Sequence, residues 1–157
     1  TTALCLSWLG EHDIQNQSVI DYGCGSGILA IAAFKLGAGE LHSVDIDPQA
    51  LAASRENASR NNIDPALLNI TLPEDFKSEP VDLLMANILS GPLVGFAPKF
   101  AELVKSEGQI LLSGILQTQA NDIKKAYLPF FDLDPICIKE DWIRVSGTRR
   151  SDTNSNV

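Results

Sequence analysis

Apolar residues along this chain alternate between short dense runs and longer one-sided stripes. The dense runs at 18–21, 41–45, 68–72, 81–86 and 109–113 predict strands, each bounded by polar or turn-forming residues. Stripes of helical period lie between them. Residues 2–12 pair Leu4 with Trp8 and Cys5 with Leu9 at i,i+4, and 28–36 is apolar on a broad face until Gly37 stops it. Pro48 suits the first turn of a helix running to about Asn62, with Asp47 as its N-cap. Leu93, Ala97, Phe100, Ala101 and Val104 share one helical face, and Ala120, Ile123, Tyr127 and Phe130 mark another. Two short runs, 136–138 and 142–145, close the pattern as antiparallel strands.

Strands alternating with helices over short connections predict an α/β fold, a mostly parallel, doubly wound sheet with right-handed crossovers. Such sheets bind ligands beyond the carboxyl ends of their strands, near the switch in strand order. Chemistry is therefore expected just after strands. The chain of 157 residues has room for one domain, expected over 1–150, and the polar run 151–157 is expected to be a disordered tail. It opens at Thr1, in what already reads as a helix, and is expected to be a piece of a longer protein.

Composition narrows the class. No apolar run is long enough to span a bilayer, and the start lacks the basic segment and apolar core of a signal peptide. Cys5, Cys24 and Cys137 are odd in number and form no CxxC pair, which argues against a disulfide scaffold or structural zinc and predicts a reducing cytoplasm. A net charge of −8 opposes attraction to phosphate backbones and favours a basic protein partner over nucleic acid. His12 and His42 make no metal-ligand pattern, so no metal is expected, and no Ser-His-Asp or HExxH arrangement is visible.

Four candidate positions remain, all after strands. The loop Asp21-Tyr22-Gly23-Cys24-Gly25-Ser26-Gly27 follows the first strand, and its glycines let the backbone turn sharply and approach a ligand closely. A dinucleotide fingerprint, G-x-G-x-x-G, would need glycine at 28, where Ile28 stands. Gly27 makes the loop G-x-G-x-G, the spacing typical of S-adenosylmethionine enzymes. Asp45 ends the second strand about twenty residues on, where a carboxylate accepts hydrogen bonds from both ribose hydroxyls of an adenosine ligand. Asp47 competes for that role, but it precedes Pro48, where a helix cap belongs. Asp21 is placed either to face the cationic groups of such a ligand or to accept from nearby backbone amides. Asn87, after the fourth strand, either offers its side-chain carbonyl to a substrate amine or closes a turn.

From Thr1 to about Arg150 the sequence resembles the ribosomal protein L-eleven methyltransferase family (PrmA). The resemblance rests on Thr1-Thr2-Ala3-Leu4-Cys5-Leu6, the loop region 19–31, Val44-Asp45-Ile46-Asp47-Pro48 and Ala86-Asn87-Ile88-Leu89-Ser90-Gly91-Pro92-Leu93. It continues through Leu112-Ser113-Gly114-Ile115-Leu116 and Lys139-Glu140-Asp141-Trp142. The resemblance implies a class I S-adenosylmethionine-dependent methyltransferase fold, Rossmann-like, with seven strands and an antiparallel last strand. It further implies methylation of lysine ε-amines and the N-terminal α-amine of a large-subunit ribosomal protein. Cofactor contacts carry over to Thr2, Gly23, Asp45 and Asn87. The family also has an upstream domain that captures the ribosomal protein and a glycine- and histidine-containing segment before the paired threonines; neither is in this sequence. Other amine, glutamine or nucleobase methyltransferases, a nicotinamide-dependent dehydrogenase and a non-catalytic cofactor-binding module are the competing readings. Glutamine and adenine enzymes usually carry Asn/Asp-Pro-Pro-Tyr where this chain has Asn87-Ile88-Leu89-Ser90.

Overall fold

The computed structural model describes residues 1–151, so the expected tail lies, beyond Ser151, outside the described residues. The elements run α1 (Thr2–Glu11), β1 (Ser18–Tyr22), α2 (Ile28–Lys35), β2 (Glu40–Val44), α3 (Pro48–Arg60) and β3 (Ile70–Thr71). They continue as β4 (Val81–Asn87), α4 (Ser90–Leu103), β5 (Val104–Leu116), α5 (Ala120–Tyr127), β6 (Phe131–Leu133), β7 (Cys137–Lys139) and β8 (Trp142–Arg149).

The sheet has the order β3-β2-β1-β4-β5-β8-β6, with β7 pairing β8 off this path. The first five strands are parallel; β8 runs antiparallel to β5, β6 and β7. Seven strands thus lie along the path and one of them, the last in sequence, is reversed. The dense apolar runs are explained by burial on both sheet faces. In β4, Leu84 and Ala86 join a core shared with α4 and α5, whereas Leu83 and Met85 join one shared with α1, α2 and α3. Among the described residues no helix is long and apolar enough to cross a membrane.

Asp47 caps α3 as expected, its carboxylate accepting from the Gln49 amide at 2.9 Å ahead of Pro48 at the helix start. Three elements depart from the expected pattern. The third strand shrinks to two residues because Pro65 opens a 3₁₀ turn over Pro65–Leu68, and Asn69 then takes a left-handed φ of 45°. Leu68 is buried in that turn, so it carried a strand-like signal without being in a strand. Val104, on the same helical stripe as Phe100, instead begins β5. β6 was not anticipated, since Phe131 continues the stripe of Tyr127 and hides a three-residue edge strand.

The strand order reverses between β1, which is flanked by β2, and β4, which is flanked by β5. At that point the carboxyl ends of β1, β2, β4 and β5 come together.

Candidate functional site

β1 delivers the chain into the glycine loop, and the loop uses its glycines for conformation. Gly23, Gly25 and Gly27 all have positive φ, at 82°, 55° and 87°, a region in which a Cβ is unfavourable. The loop is tied to β2 from above: the amides of Gly23 and Cys24 donate to the Val44 carbonyl at 2.7 and 2.9 Å. Asp45, one residue later, accepts from the Gly25 amide at 2.9 Å and from the Asp47 amide at 3.0 Å. The second-strand acid and the glycine loop are therefore one bonded unit.

Asp21, in β1 just ahead of the loop, is buried. It is 1% exposed and accepts from the Ala30 amide at 3.2 Å. Burial pushes its carboxyl up to about 7; the Ala30 amide opposes that rise, and the Asp45 charge adds to it. Cys24 is pushed up to about 12, chiefly by burial and next by the Asp21 charge, so its thiol is inert.

β4 ends at Asn87, whose Nδ2 donates to Thr2 Oγ1 at 3.2 Å. Asn87 Oδ1 is buried and has no hydrogen-bond partner among the described residues. Such an acceptor costs stability unless a ligand or water completes it. The next residue, Ile88, is wedged between two glycines, Gly23 of the loop after β1 and Gly114 of β5. A Cβ at Gly23 would overlap Ile88 Cγ2, and one at Gly114 would overlap the Ile88 carbonyl oxygen and lie 2.8 Å from its carbonyl carbon. Gly114 has φ of 87° and sits where the β5–β8 pairing shifts register between Leu112 and Ile115.

Three hollows meet around these residues. A polar one of about 170 Å³ is lined by Thr2, Asp21, Gly23, Gly25, Ser26 and Asn87. An apolar one of about 450 Å³ is lined by Tyr22, Asp45, Ile46, Pro73, Leu89 and Phe96. An open one of about 430 Å³ is lined by Thr1, Asn87, Ile88, Leu89, Gly114 and Trp142. Gly23 borders the first two, and Asn87 the first and third. Among the described residues, Ile46 and Leu89, 80% and 71% exposed, are the most exposed of the large apolar side chains, and both line the apolar hollow.

Of the expected site residues, Thr2, Asp21, Gly23, Gly25 and Asn87 line the polar hollow, and Asp45 lines the apolar one. Gly27 instead turns the loop into α2 and packs on Ser54. Sequence reading missed Ser54, Asn57 and Gly114. A glycine inside a strand pattern was the available signal for Gly114; Ser54 on the apolar stripe of Leu51 and Ala58 was a fainter one. Among the described residues no group of three or more His, Cys, Asp or Glu is arranged to hold a metal ion.

A family model described as Ribosomal protein L11 methyltransferase (PrmA) matches residues 1–150. The chain belongs to this family. Among proteins of that name, the one from Pseudomonas aeruginosa is 55% identical over 152 residues, 97% of this chain and 52% of the relative. The one from Ectopseudomonas mendocina is 53% identical over 150 residues, 96% of this chain and 51% of the relative. The chain spans about half the length of the curated relatives it matches. The crystal structure of a ribosomal protein L11 methylase from Lactobacillus delbrueckii subsp. bulgaricus superposes with a TM-score of 0.88 at 32% identity, covering 96% of this chain and 79% of that one. An RNA methyltransferase from Salinibacter ruber, solved with S-adenosyl-L-homocysteine, has a TM-score of 0.77 at 14% identity, covering 99% of this chain and 96% of its own, and shares the fold. The class I methyltransferase fold implied by the PrmA resemblance is the one observed, a mostly parallel sheet with antiparallel strands at its C-terminal end.

Proposed function

We propose that residues 1–150 are the catalytic domain of an S-adenosylmethionine-dependent protein N-methyltransferase. Its acceptors are lysine ε-amines and the N-terminal α-amine of the large-subunit ribosomal protein for which the relatives are named. One observation carries the reading: the buried, unpartnered Oδ1 of Asn87 stands where the polar hollow meets the open one. The residues present suit the cofactor. Buried Asp21 offers a carboxylate to a cationic amino-acid end, Asp45 offers one to a ribose diol, and exposed Ile46 and Leu89 offer apolar walls to a flat base. The glycine at 23 leaves room for close backbone approach, and Thr2 fixes the Asn87 amide so that its oxygen is presented to the hollows.

The cofactor supplies an electrophilic methyl group on sulfonium sulfur. The chain supplies alignment. Asn87 Oδ1 accepts a hydrogen bond from the acceptor amine, aiming the nitrogen lone pair along the line from the open hollow into the polar one. A lysine amine with a reference pKa of about 10.4 must lose its proton first. The described lining of the open hollow, Thr1, Asn87, Ile88, Leu89, Gly114 and Trp142, holds no carboxylate or imidazole. The proton therefore leaves to water, and the apolar wall of Leu89 and Trp142 favours the neutral amine. The net charge of −8 suits a basic protein acceptor in the cytoplasm rather than a nucleic acid.

Calorimetry separates the cofactor classes: S-adenosylhomocysteine binds, and NAD does not. Transfer of labelled methyl to the purified ribosomal protein, run beside a full-length relative, tests the activity. Asn87→Ala is expected to lower turnover about 100-fold, the scale expected when a reacting group is misaligned. Binding of S-adenosylhomocysteine with no label on any acceptor would identify a non-catalytic module, and full turnover in Asn87→Ala would discard the role given to its oxygen.

A further inference from the structure

Ser54 and Asn57 stand one helical turn apart on α3, and both reach back to the glycine loop. Ser54 Oγ donates to the Gly25 carbonyl at 2.7 Å, and Asn57 Nδ2 donates to the Ser26 carbonyl at 2.9 Å. Ser54 is fully buried on a stripe otherwise made of Leu51 and Ala58, so its hydroxyl has no solvent alternative. The loop also has no slack against the helix. A Cβ built at Gly27 would lie 3.1 to 3.3 Å from Ser54 Oγ, Cβ and Cα.

We propose that Ser54 and Asn57 are positioning residues that set the glycine loop for the amino-acid end of the bound cofactor. The inference rests on the cofactor reading above. A peptide group is planar and trans, so its N–H points opposite to its C=O. Tying the Gly25 carbonyl to Ser54 therefore turns the Ser26 amide away from α3, and Gly25 and Ser26 both line the polar hollow. A carboxylate in that hollow needs amide donors and is repelled by carbonyl oxygens. The clamp holds those oxygens behind the loop.

The clamp acts on one end of the ligand, which makes it separable from a general loss of structure. S-adenosylhomocysteine carries the amino-acid end; 5′-methylthioadenosine keeps the adenosine and lacks that end. Ser54→Ala and Asn57→Ala are each expected to weaken S-adenosylhomocysteine about 5-fold, and the double variant about 20-fold, from the usual worth of one hydrogen bond. Binding of 5′-methylthioadenosine should stay within about 2-fold. Asn57→Asp, of the same shape but unable to donate, should behave like Asn57→Ala. Asn57 is only half-buried, so its variants keep the test valid if Ser54→Ala fails to fold. Equal losses for both ligands, or no loss for either, overturn this inference alone. Failure of the unaltered protein to bind either ligand overturns the cofactor reading and this inference with it.

Discussion

A Gly114→Ala variant is expected to lose measurable methyl transfer and to melt well below the parent, although Gly114 contacts neither proposed substrate group with a side chain. Its φ of 87° already disfavours any Cβ. The added carbon would also overlap the Ile88 carbonyl oxygen and lie 3.0 Å from the Ile88 nitrogen. Those are backbone atoms and they cannot rotate away, so either β5 or the Asn87–Ile88 segment must move. Strain and overpacking together amount to about 2–5 kcal/mol. The displacement would also reach the glycine loop, since Ile88 Cγ2 fills the space a Cβ at Gly23 would need. A shift of about 1 Å at Asn87 is enough for a 100-fold loss in rate. Gly95→Ala is the control: it sits inside α4 with nothing within 4 Å of its Cβ position, and alanine there should be neutral or stabilising. Unchanged melting and turnover in Gly114→Ala would show that β5 yields freely there, and the wedge account of Ile88 would fall.

That wedge marks where sequence reading stopped. The order of strands and helices was legible because each parallel strand is buried on both faces and each helix on one, which leaves two distinct apolar rhythms. The Asp47–Pro48 helix start was legible because capping depends on neighbours in sequence. Asp21, Gly23, Gly25, Asp45 and Asn87 were singled out because each lies at or just after the carboxyl end of a strand, and β1, β2 and β4 end at the switch point. Relations between distant segments left little local trace. Ser54 meets Gly25 across 29 positions and Asn57 meets Ser26 across 31. The orientation of the Asn87 amide depends on Thr2, 85 positions away. Residue type gave Asn87 a choice of roles, and only the unpartnered oxygen favours one of them. β6 was missed for a different reason: in a three-residue edge strand, one buried side chain, Phe131, cannot distinguish the end of a helical stripe from the start of a strand.

The second large effect concerns Asp21 and should appear as pH dependence. Its carboxyl is raised by burial from the usual 3.8 to about 7. Between those values the unfolded chain has lost the proton and the folded protein keeps it, so the folded state binds more protons and stability falls as pH rises. Below pH 4 both states are protonated, and this contribution vanishes. Above pH 7 both are ionised, and the loss is complete, at most about 4 kcal/mol. Asp21→Asn removes the ionisation while keeping an acceptor for the Ala30 amide. Its melting temperature should match the parent at pH 4 and exceed it increasingly up to pH 8. Cofactor binding should respond in the opposite sense. A cation in the polar hollow favours the ionised carboxylate, so parental affinity for S-adenosylhomocysteine should weaken as pH drops below 7, with proton release measurable by calorimetry in buffers of different ionisation enthalpy. Asp21→Asn should bind more weakly at pH 8 and lose that pH dependence. A stability difference equal at pH 4 and pH 8 would mean that Asp21 is ionised throughout. Binding that shows no pH dependence in the parent would mean that its carboxylate does not face the cationic end of the ligand, leaving only the bond to Ala30.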